Sequence, residues 1–426
     1  MLAAVACAEE LRWRGLVHQV TDDELLARLD GGPLTFYVGF DPTADSLGVG
    51  NLLQLCTLRR LQEAGHRPLL VAGGGTGTIG DPGGKTDERA LLDPGELAAN
   101  LAGIGRQLER FADFGAGARL LDNGDWLAPL GLLEFLRDVG KHASVNSMIA
   151  RDSVRSRLEG RDHGISYAEF SYMLLQAYDF LHLFDEFGCR LQLGGRDQWG
   201  NIVAGVDLIR RRRGAQAFGL TTPLVLRADG TKFGKTEAGN LWLDAARTSP
   251  YQLFQAFLRT EDDVVGRYLR YFTWLDREAI EALDEATATR PAERRAPRAL
   301  ARAVVELVHG PGEAAAAEAA AAALFSGDLA GLPEATFLEV LAEAPASGRR
   351  RAELDAGLPL VQALADAGLS PSRSAARTVV AQGGAYVNNR RQDDVEARLT
   401  RDDLVHDRYV VLRRGRRDHH LLRFEP

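Results

Sequence analysis

An apolar run from Leu34 to Phe40, with Gly39 near its end, is followed by an amphipathic stretch and a second apolar run, Pro68 to Ala72. That second run opens into Gly73-Gly74-Gly75-Thr76-Gly77. Between the two, Asn51 to Ala64 places Leu52, Leu55, Leu58 and Leu61 at helical spacing, with Gly65 as a stop. Two buried strands joined by a helix, with glycine at the strand ends, commit this part of the chain to a parallel α/β sheet whose ligands lie at the carboxyl ends of the strands. Arg190-Leu191-Gln192-Leu193 and a helix from Asp197 to Arg213 repeat the unit, and Pro223 to Leu226 predicts one more strand.

From Ser249 to Val308 the pattern turns helical and charged, and Ala314 to Ala323 is a strong helix former. Ala344 to Asp355 has the composition of a hinge, and Leu358 to Phe424 predicts helices followed by short strands. The expected organisation is an α/β domain at 1–235, an α-helical domain at 236–343, a linker at 344–356 and a small α+β domain at 357–426. Over 426 residues the net charge is -8, which argues against a surface that binds nucleic acid everywhere but leaves room for a local basic patch. There is no apolar run of membrane length, and acidic residues follow Met1 too closely for a signal peptide. Cys7, Cys56 and Cys189 lack any CxxC spacing, giving neither a disulfide framework nor a zinc site and fitting a reducing cytoplasm.

On the helix from Ser166 to Phe184, Tyr172, Gln176 and Asp179 share one face among Met173, Leu174, Leu175, Phe180 and Leu181. Such a polar stripe is costly to bury unless something hydrogen-bonds to it, so it is either partly solvated or faces a ligand. Leu226 to Thr236 carries a tight turn at Asp229-Gly230 and two lysines, Lys232 and Lys235, around Gly234. Gly194 and Gly195 would let the backbone approach a ligand, and Asp197 suits a ribose hydroxyl pair at a strand end.

These segments resemble, in order along nearly the whole chain, the tyrosyl-tRNA synthetases. The match is carried by Gly39-Phe40-Asp41-Pro42-Thr43-Ala44-Asp45-Ser46-Leu47, by Gly80-Asp81-Pro82-Gly83-Gly84-Lys85, and by the helix wording S-Y-M-L-L-Q-A-Y-D-F. Gln192-Leu193-Gly194-Gly195-Arg196-Asp197-Gln198-Trp199-Gly200-Asn201 and Lys232-Phe233-Gly234-Lys235-Thr236 continue it. The resemblance implies a Rossmann-like catalytic domain, an anticodon-side helical domain and a small RNA-binding domain, in a homodimer.

It further implies that Tyr172, Gln176 and Asp81 hold a tyrosine ammonium, that Asp179 and Tyr37 read the phenolic hydroxyl, and that Gln198, with Gln192, reaches the carboxylate side. Asp41, Gly50, Asn51, Gly195 and Asp197 would bind ATP, which enters with Mg2+ and needs no metal site on the protein. Thr43, Lys85, Arg89, Lys232, Lys235 and Thr236 would stabilise the phosphates and the departing pyrophosphate. A pocket built to hydrogen-bond a hydroxyl strongly rejects the analogue lacking it, and tyrosyl-tRNA synthetases are themselves the standing example of this effect.

The chain departs from the family in three places. The family's His-x-Gly-His or His-x-Gly-Asn signature reads Gly48-Val49-Gly50-Asn51 here, so one imidazole that contacts the ATP phosphates is missing. Val38 stands where Cys is common, and Arg196 where Ser is usual. Gly48 keeps open a slow or specialised relative working outside bulk translation, and an inactive RNA-binding or tyrosine-sensing protein.

Residues 373–423 hold twelve arginines against seven acidic residues and resemble a small RNA-binding fold shared with a ribosomal protein. Ser374, Arg377 and the turn Gly383-Gly384 carry that resemblance, which implies that Arg373, Ser374, Arg377, Arg413 and Arg414 meet the phosphates of tRNA(Tyr). Arg210 to Arg213 is either a further contact for RNA or a solvated helix end.

Overall fold

The computed structural model describes residues 6–81, 93–149, 154–155, 165–236, 239–323, 329–342, 344–415 and 418–425. They form two compact units, Met1–Thr248 with Thr260–Leu300, and Ser249–Arg259 with Ala301–Pro426.

The first unit is built on a six-stranded sheet of β1 (Gln19–Val20), β2 (Thr35–Phe40), β3 (Arg67–Ala72), β4 (Arg119–Asp122), β5 (Cys189–Gly195) and β6 (Phe218–Thr222). Their spatial order is β1-β6-β5-β2-β3-β4, and every pair is parallel except β1 with β6. From β2 the chain steps outward through helix α1 (Leu52–Glu63) to β3 and β4, then returns to the opposite side of β2 as β5. That reversal opens a crevice at the carboxyl ends of β2 and β5, where a parallel sheet binds its ligand. The final strand differs from expectation: it is Phe218–Thr222, and residues 223–226 run on beyond the sheet edge as irregular chain. Pro223 explains the break, because it lacks the N–H that a ladder needs.

Helices α3 (Tyr167–Phe187) and α4 (Trp199–Arg213) pack on one another and on β5, and α2 (Leu132–Asp138) is joined to α4 through Asp138 and Arg212. Helix α3 starts where the Ser166 side chain accepts the Glu169 N–H at 3.2 Å, and stops at Gly188, whose φ of 63° suits the left-handed cap. Helices α3 and α4 meet at Gly205, where a Cβ would lie 2.8 Å from the Phe180 ring, so only glycine permits that approach.

Each arginine of the run at the end of α4 makes an ion pair, two of them within the helix itself. Arg210 and Arg211 pair with Asp207, Arg212 with Asp138 of α2, and Arg213 with Asp185 of α3. Arg212 and Arg213 therefore tie α4 to its neighbours, while Arg210 and Arg211 stay exposed at the helix end.

Within the same unit, α5 (Asp262–Phe272) ends on two buried guanidinium groups. Arg60 donates to the carbonyls of Tyr271 and Thr273, and Arg14 to those of Arg270, Thr273 and Leu275. Cations there satisfy carbonyls that the helix itself cannot pair and favour the negative end of its dipole.

The second unit contains a five-stranded sheet in which Ala346–Arg350 pairs in parallel with Asp418–Glu425. The expected linker is thus an edge strand of the terminal module, with Phe424 and Leu354 in one core beside it. The helical stretch, expected as one domain, divides between the units. Helix α5 and the helix Arg277–Thr289 lie in the first. Pro250–Leu258, Pro311–Ala323 and Glu334–Val340 lie in the second, where Tyr251, Ala320 and Phe337 share a core with Val411 and Leu421. Each helix buries its apolar stripe against whichever core complements it, and the charged composition of the stretch concealed that choice.

Candidate active site

A cavity of about 350 Å³ occupies the crevice beyond β2 and β5. Fourteen of the expected site residues line it: Tyr37, Asp41, Thr43, Gly50, Asn51, Asp81, Tyr172, Gln176, Asp179, Gln192, Gly195, Asp197, Gln198 and Lys232. Lys85 and Arg89 lie outside the described residues, as does the side chain of Thr236, while Lys235 is exposed on the loop that ends at β7 (Lys235–Thr236).

At the deep end, Asp179 is buried and its carboxylate accepts from Trp126 Nε1 at 2.8 Å and Asn123 Nδ2 at 3.0 Å. Burial pushes its carboxyl up to about 7, against the pull of the Asn123 and Trp126 donors. Tyr37, buried on β2, packs its ring 5.3 Å from Phe180, and its hydroxyl has no hydrogen-bond partner among the described residues. Burial and the nearby Asp179 push that phenol well above its ordinary value. Gln192, expected beside Gln198, is instead the register partner of Tyr37 on the neighbouring strand and is buried there, with its side-chain oxygen also unpartnered. Parallel register partners project from the same sheet face, which puts Gln192 at the deep end.

Carboxylates gather around the middle of the cavity. The Tyr172 hydroxyl donates to both oxygens of Asp41 at 3.0 and 3.1 Å, so Asp41, expected on the nucleotide side, belongs to this group as well. Burial first, then Asp41 and Asp81, push the Tyr172 phenol well above its usual range. Gln198 donates to Asp81 at 2.6 Å and accepts from Gln176 at 3.2 Å, and Asn201 donates to both amide oxygens at 3.1 Å. Two acids beside a phenol and two carboxamides, in a partly dry cleft, form a seat for a small cation.

At the open end, Thr43, Gly50 and Asn51 face Asp197, Gly195 and Lys232. A Cβ on Gly195 would fall 2.6 Å from the Asp197 carboxylate and 3.0 Å from the Gln54 amide, so the glycine brings both close to the strand end. Gln54 donates to Thr222 at 3.1 Å. Gly50 and Asn51 belong to a short turn leading into α1, whose N-terminal N–H groups favour an anion. The signature segment is tied to the chain after the lysine loop: Val49 N–H donates to Leu241 at 2.9 Å, and Leu243 N–H to Leu47 at 2.8 Å. Gly48 has an ordinary φ of -88°, and a Cβ there would meet only the Leu241 carbonyl at 3.5 Å and Gly50 N at 4.0 Å. The backbone does not require glycine at this position.

Sequence reasoning missed Asn123, Trp126, Thr76 and Gln54. Asn123 follows the last residue of β4, and the rule that ligands gather at carboxyl ends of parallel strands would have pointed to it. Arg196 is exposed and does not line the cavity.

In the terminal module, Arg373, Ser374, Arg377 and Arg414 are exposed, with Arg377 paired to Glu396 at 2.9 Å. Arg413 departs from expectation: it is only 5% exposed, lies 3.8 Å over the Tyr386 ring and donates to the Gly415 carbonyl. A guanidinium committed to a ring and a turn inside its own fold has no face left for a phosphate.

Residues 29–326 match the family model "tRNA synthetases class I (W and Y)", and residues 346–422 the "Tyrosine--tRNA ligase SYY-like C-terminal domain". The chain is 52% identical over 421 residues to the tyrosine–tRNA ligase of Roseiflexus castenholzii, covering 97% of this chain and 98% of that protein. To the tyrosine–tRNA ligase of Geobacillus kaustophilus it is 50% identical over 420 residues, covering 97% and 99%. A C-terminally truncated mitochondrial tyrosyl-tRNA synthetase from Aspergillus nidulans superposes with a TM-score of 0.67 at 34% identity, over 74% of this chain and 92% of that one. With half of its residues shared along nearly its full length, the chain belongs to the bacterial-type tyrosine–tRNA ligases, within the class I synthetases for tryptophan and tyrosine.

Proposed function

We propose that the cavity takes L-tyrosine with its hydroxyl on Asp179 and Tyr37 and its ammonium among Asp81, Tyr172 and Gln176. Gln198 then faces the carboxylate. The observation that carries this is the pairing of a buried, doubly hydrogen-bonded Asp179 and an unpartnered Tyr37 hydroxyl at one end with carboxylates at the middle. A phenol at one end and an amine nearer the mouth satisfy both.

ATP enters as its magnesium complex at the open end, with Asp197 toward the ribose and Gly50 and Asn51 against the base. No side chain acts as a covalent nucleophile. The tyrosine carboxylate attacks the α-phosphate in line and pyrophosphate leaves; a hydroxyl of the terminal ribose of tRNA(Tyr) then attacks the tyrosyl carbonyl, forming the ester as the bond to AMP breaks and AMP departs. The protein's contribution is positioning and the stabilisation of phosphate charge by Thr43, Lys232, Lys235, Thr236, Lys85 and Arg89. In the terminal module Arg373, Arg377 and Arg414 would meet RNA phosphates.

A homodimer is part of the same proposal. Leu132, Leu133, Leu136, Val145, Ile149 and Tyr167 are all at least 41% exposed along one stretch of the first unit. Exposed apolar side chains gathered in one part of the chain favour an interface with a second copy. A cytoplasmic location accords with the three free cysteines.

Tyrosine-dependent ATP–pyrophosphate exchange tests the activation step. Exchange with tyrosine far more efficient than with phenylalanine is expected. No exchange with any amino acid would overturn the enzymatic assignment and leave an RNA-binding or sensing role.

A further inference from the structure

Trp126 sits on Gly124–Leu127, a helix of a single turn that is too short to hold a side chain rigid by itself. Both parts of its indole are nevertheless gripped by α3. The Nε1–H donates to Asp179 at 2.8 Å. The ring lies against His182, three residues further along α3, with centroids 4.5 Å apart and planes at 18°. His182 is half-buried, so one face of its ring carries Trp126 while the side chain reaches toward the surface.

We propose that His182 is a positioning residue for substrate recognition: it holds the Trp126 indole in the plane that aims its N–H at Asp179, and so sets affinity for the phenolic hydroxyl. This rests on the proposal that Asp179 reads the hydroxyl of tyrosine. Flat rings at this separation attract one another and resist tilting. Trp126 is 9% exposed in the core that holds Tyr37, Leu69 and Val71, so without the stack the indole tilts within that core, and a tilt of a few tens of degrees breaks a directional hydrogen bond. Asp179 would keep the Asn123 donor and lose the other. Its buried charge would then be less well supported, and it would accept the substrate hydroxyl more weakly. Phenylalanine offers no hydroxyl and gains or loses nothing from the change, so discrimination falls with tyrosine affinity. ATP binds at the other end of the cavity and is untouched.

The test is ATP–pyrophosphate exchange with tyrosine and with phenylalanine, on the parent enzyme, His182→Ala, His182→Phe, Trp126→Phe and the His182→Ala/Trp126→Phe double variant, with thermal melts alongside. His182→Ala is expected to raise the tyrosine KM about tenfold and to shrink the tyrosine-over-phenylalanine preference by the same factor. Its kcat and its KM for ATP should stay at parent values. His182→Phe, which restores a flat partner, should return both readouts toward the parent. Trp126→Phe should mimic His182→Ala, and the double variant should be no worse than Trp126→Phe alone, because both changes remove one interaction.

Parent-like tyrosine KM and discrimination in His182→Ala would overturn the proposal. So would a loss spread evenly over tyrosine KM, ATP KM and kcat, or a double variant whose losses add. If His182→Ala does not fold, Trp126→Phe and His182→Phe decide on the same readouts. A parent enzyme that shows no tyrosine-dependent exchange at all is a different result, which removes the underlying assignment of the pocket.

Discussion

The Asn123 side-chain amide reaches the Asp179 carboxylate at 3.0 Å, joining the end of β4 to the middle of α3 across the floor of the cavity. The same amide nitrogen donates to Thr76 Oγ1 at 3.0 Å, which fixes its orientation. Burial has pushed the Asp179 carboxyl to about 7, so its charge state changes in the neutral range. Tyrosine needs the ionised form as acceptor for its O–H. The kcat/KM for tyrosine should therefore rise with pH through about 7 and level off above it. Asn123→Ala removes a donor that stabilises the charge, so its rising limb should move to higher pH. A profile of kcat/KM against pH for parent and variant checks both statements, and an unmoved limb would count against them.

The same shift acts on stability with a definite sign. The folded-state value lies above the ordinary 3.8, so the folded protein binds this proton more tightly than the unfolded chain. The contribution from Asp179 is fully present below the unfolded value and is lost as pH rises toward about 7.

Much of this site was legible in the sequence because its polar residues interrupt apolar elements at fixed spacing. Tyr172, Gln176 and Asp179 had to share a face of α3, and all three line the cavity. Gln192 was harder to place, since its position depends on strand register with Tyr37, which a single strand does not encode. Asn123 stands at a strand end where ligands gather, but neither it nor Trp126 carries a local sign of its partner, which is 56 and 53 positions away in the chain. The strand at Ala346–Arg350 reads as a linker because A-S-G-R-R carries little strand propensity, and its pairing with Asp418–Glu425 comes from the module's core.

Arg60 supports α5 through the Tyr271 and Thr273 carbonyls at 3.2 and 2.6 Å, and is only 8% exposed. Arg60→Ala would leave those carbonyls with fewer partners and open space beside Trp274, whose ring lies 4.1 Å from the guanidinium. The expected loss is about 3 kcal/mol of stability, read as a lower denaturant midpoint. Arg60→Lys should recover only part of it, since an ammonium cannot reproduce the planar fork.

Arg377 and Arg413 should behave differently in RNA binding. Arg377 is exposed with an exposed Glu396 partner, a pair that an RNA phosphate can displace at little cost. Arg377→Ala should weaken tRNA binding and lower the salt slope by roughly one. Arg413→Ala should mainly destabilise the module, because it strips the cation from Tyr386 and the Gly415 turn. Filter binding across a salt series, with melts of both variants, separates the two outcomes.

Leu133 is 81% exposed and Leu132 69%, side by side at the start of α2. If this patch closes a homodimer, Leu133→Asp places an unpaired charge in its centre and should shift the sedimenting species toward monomer. An unchanged mass for the variant and a monomeric parent would each remove the patch as an interface.

Gly48 is the remaining test, and the geometry makes it a clean one. Its φ is already that of an ordinary residue, and a Cβ there meets nothing closer than 3.5 Å. Gly48→His should therefore be accommodated without moving the segment that pairs with Leu241 and Leu243. The tyrosine seat is built from Asp179, Asp81 and Tyr172, none of which residue 48 supports, so tyrosine KM should hold. One preorganised donor to transition-state phosphate is worth about a hundred- to thousandfold in rate. Single-turnover formation of tyrosyl-adenylate should accelerate by up to that factor in Gly48→His. A variant no faster than the parent would mean that Thr43, Lys232 and the α1 N-terminus already supply the missing stabilisation.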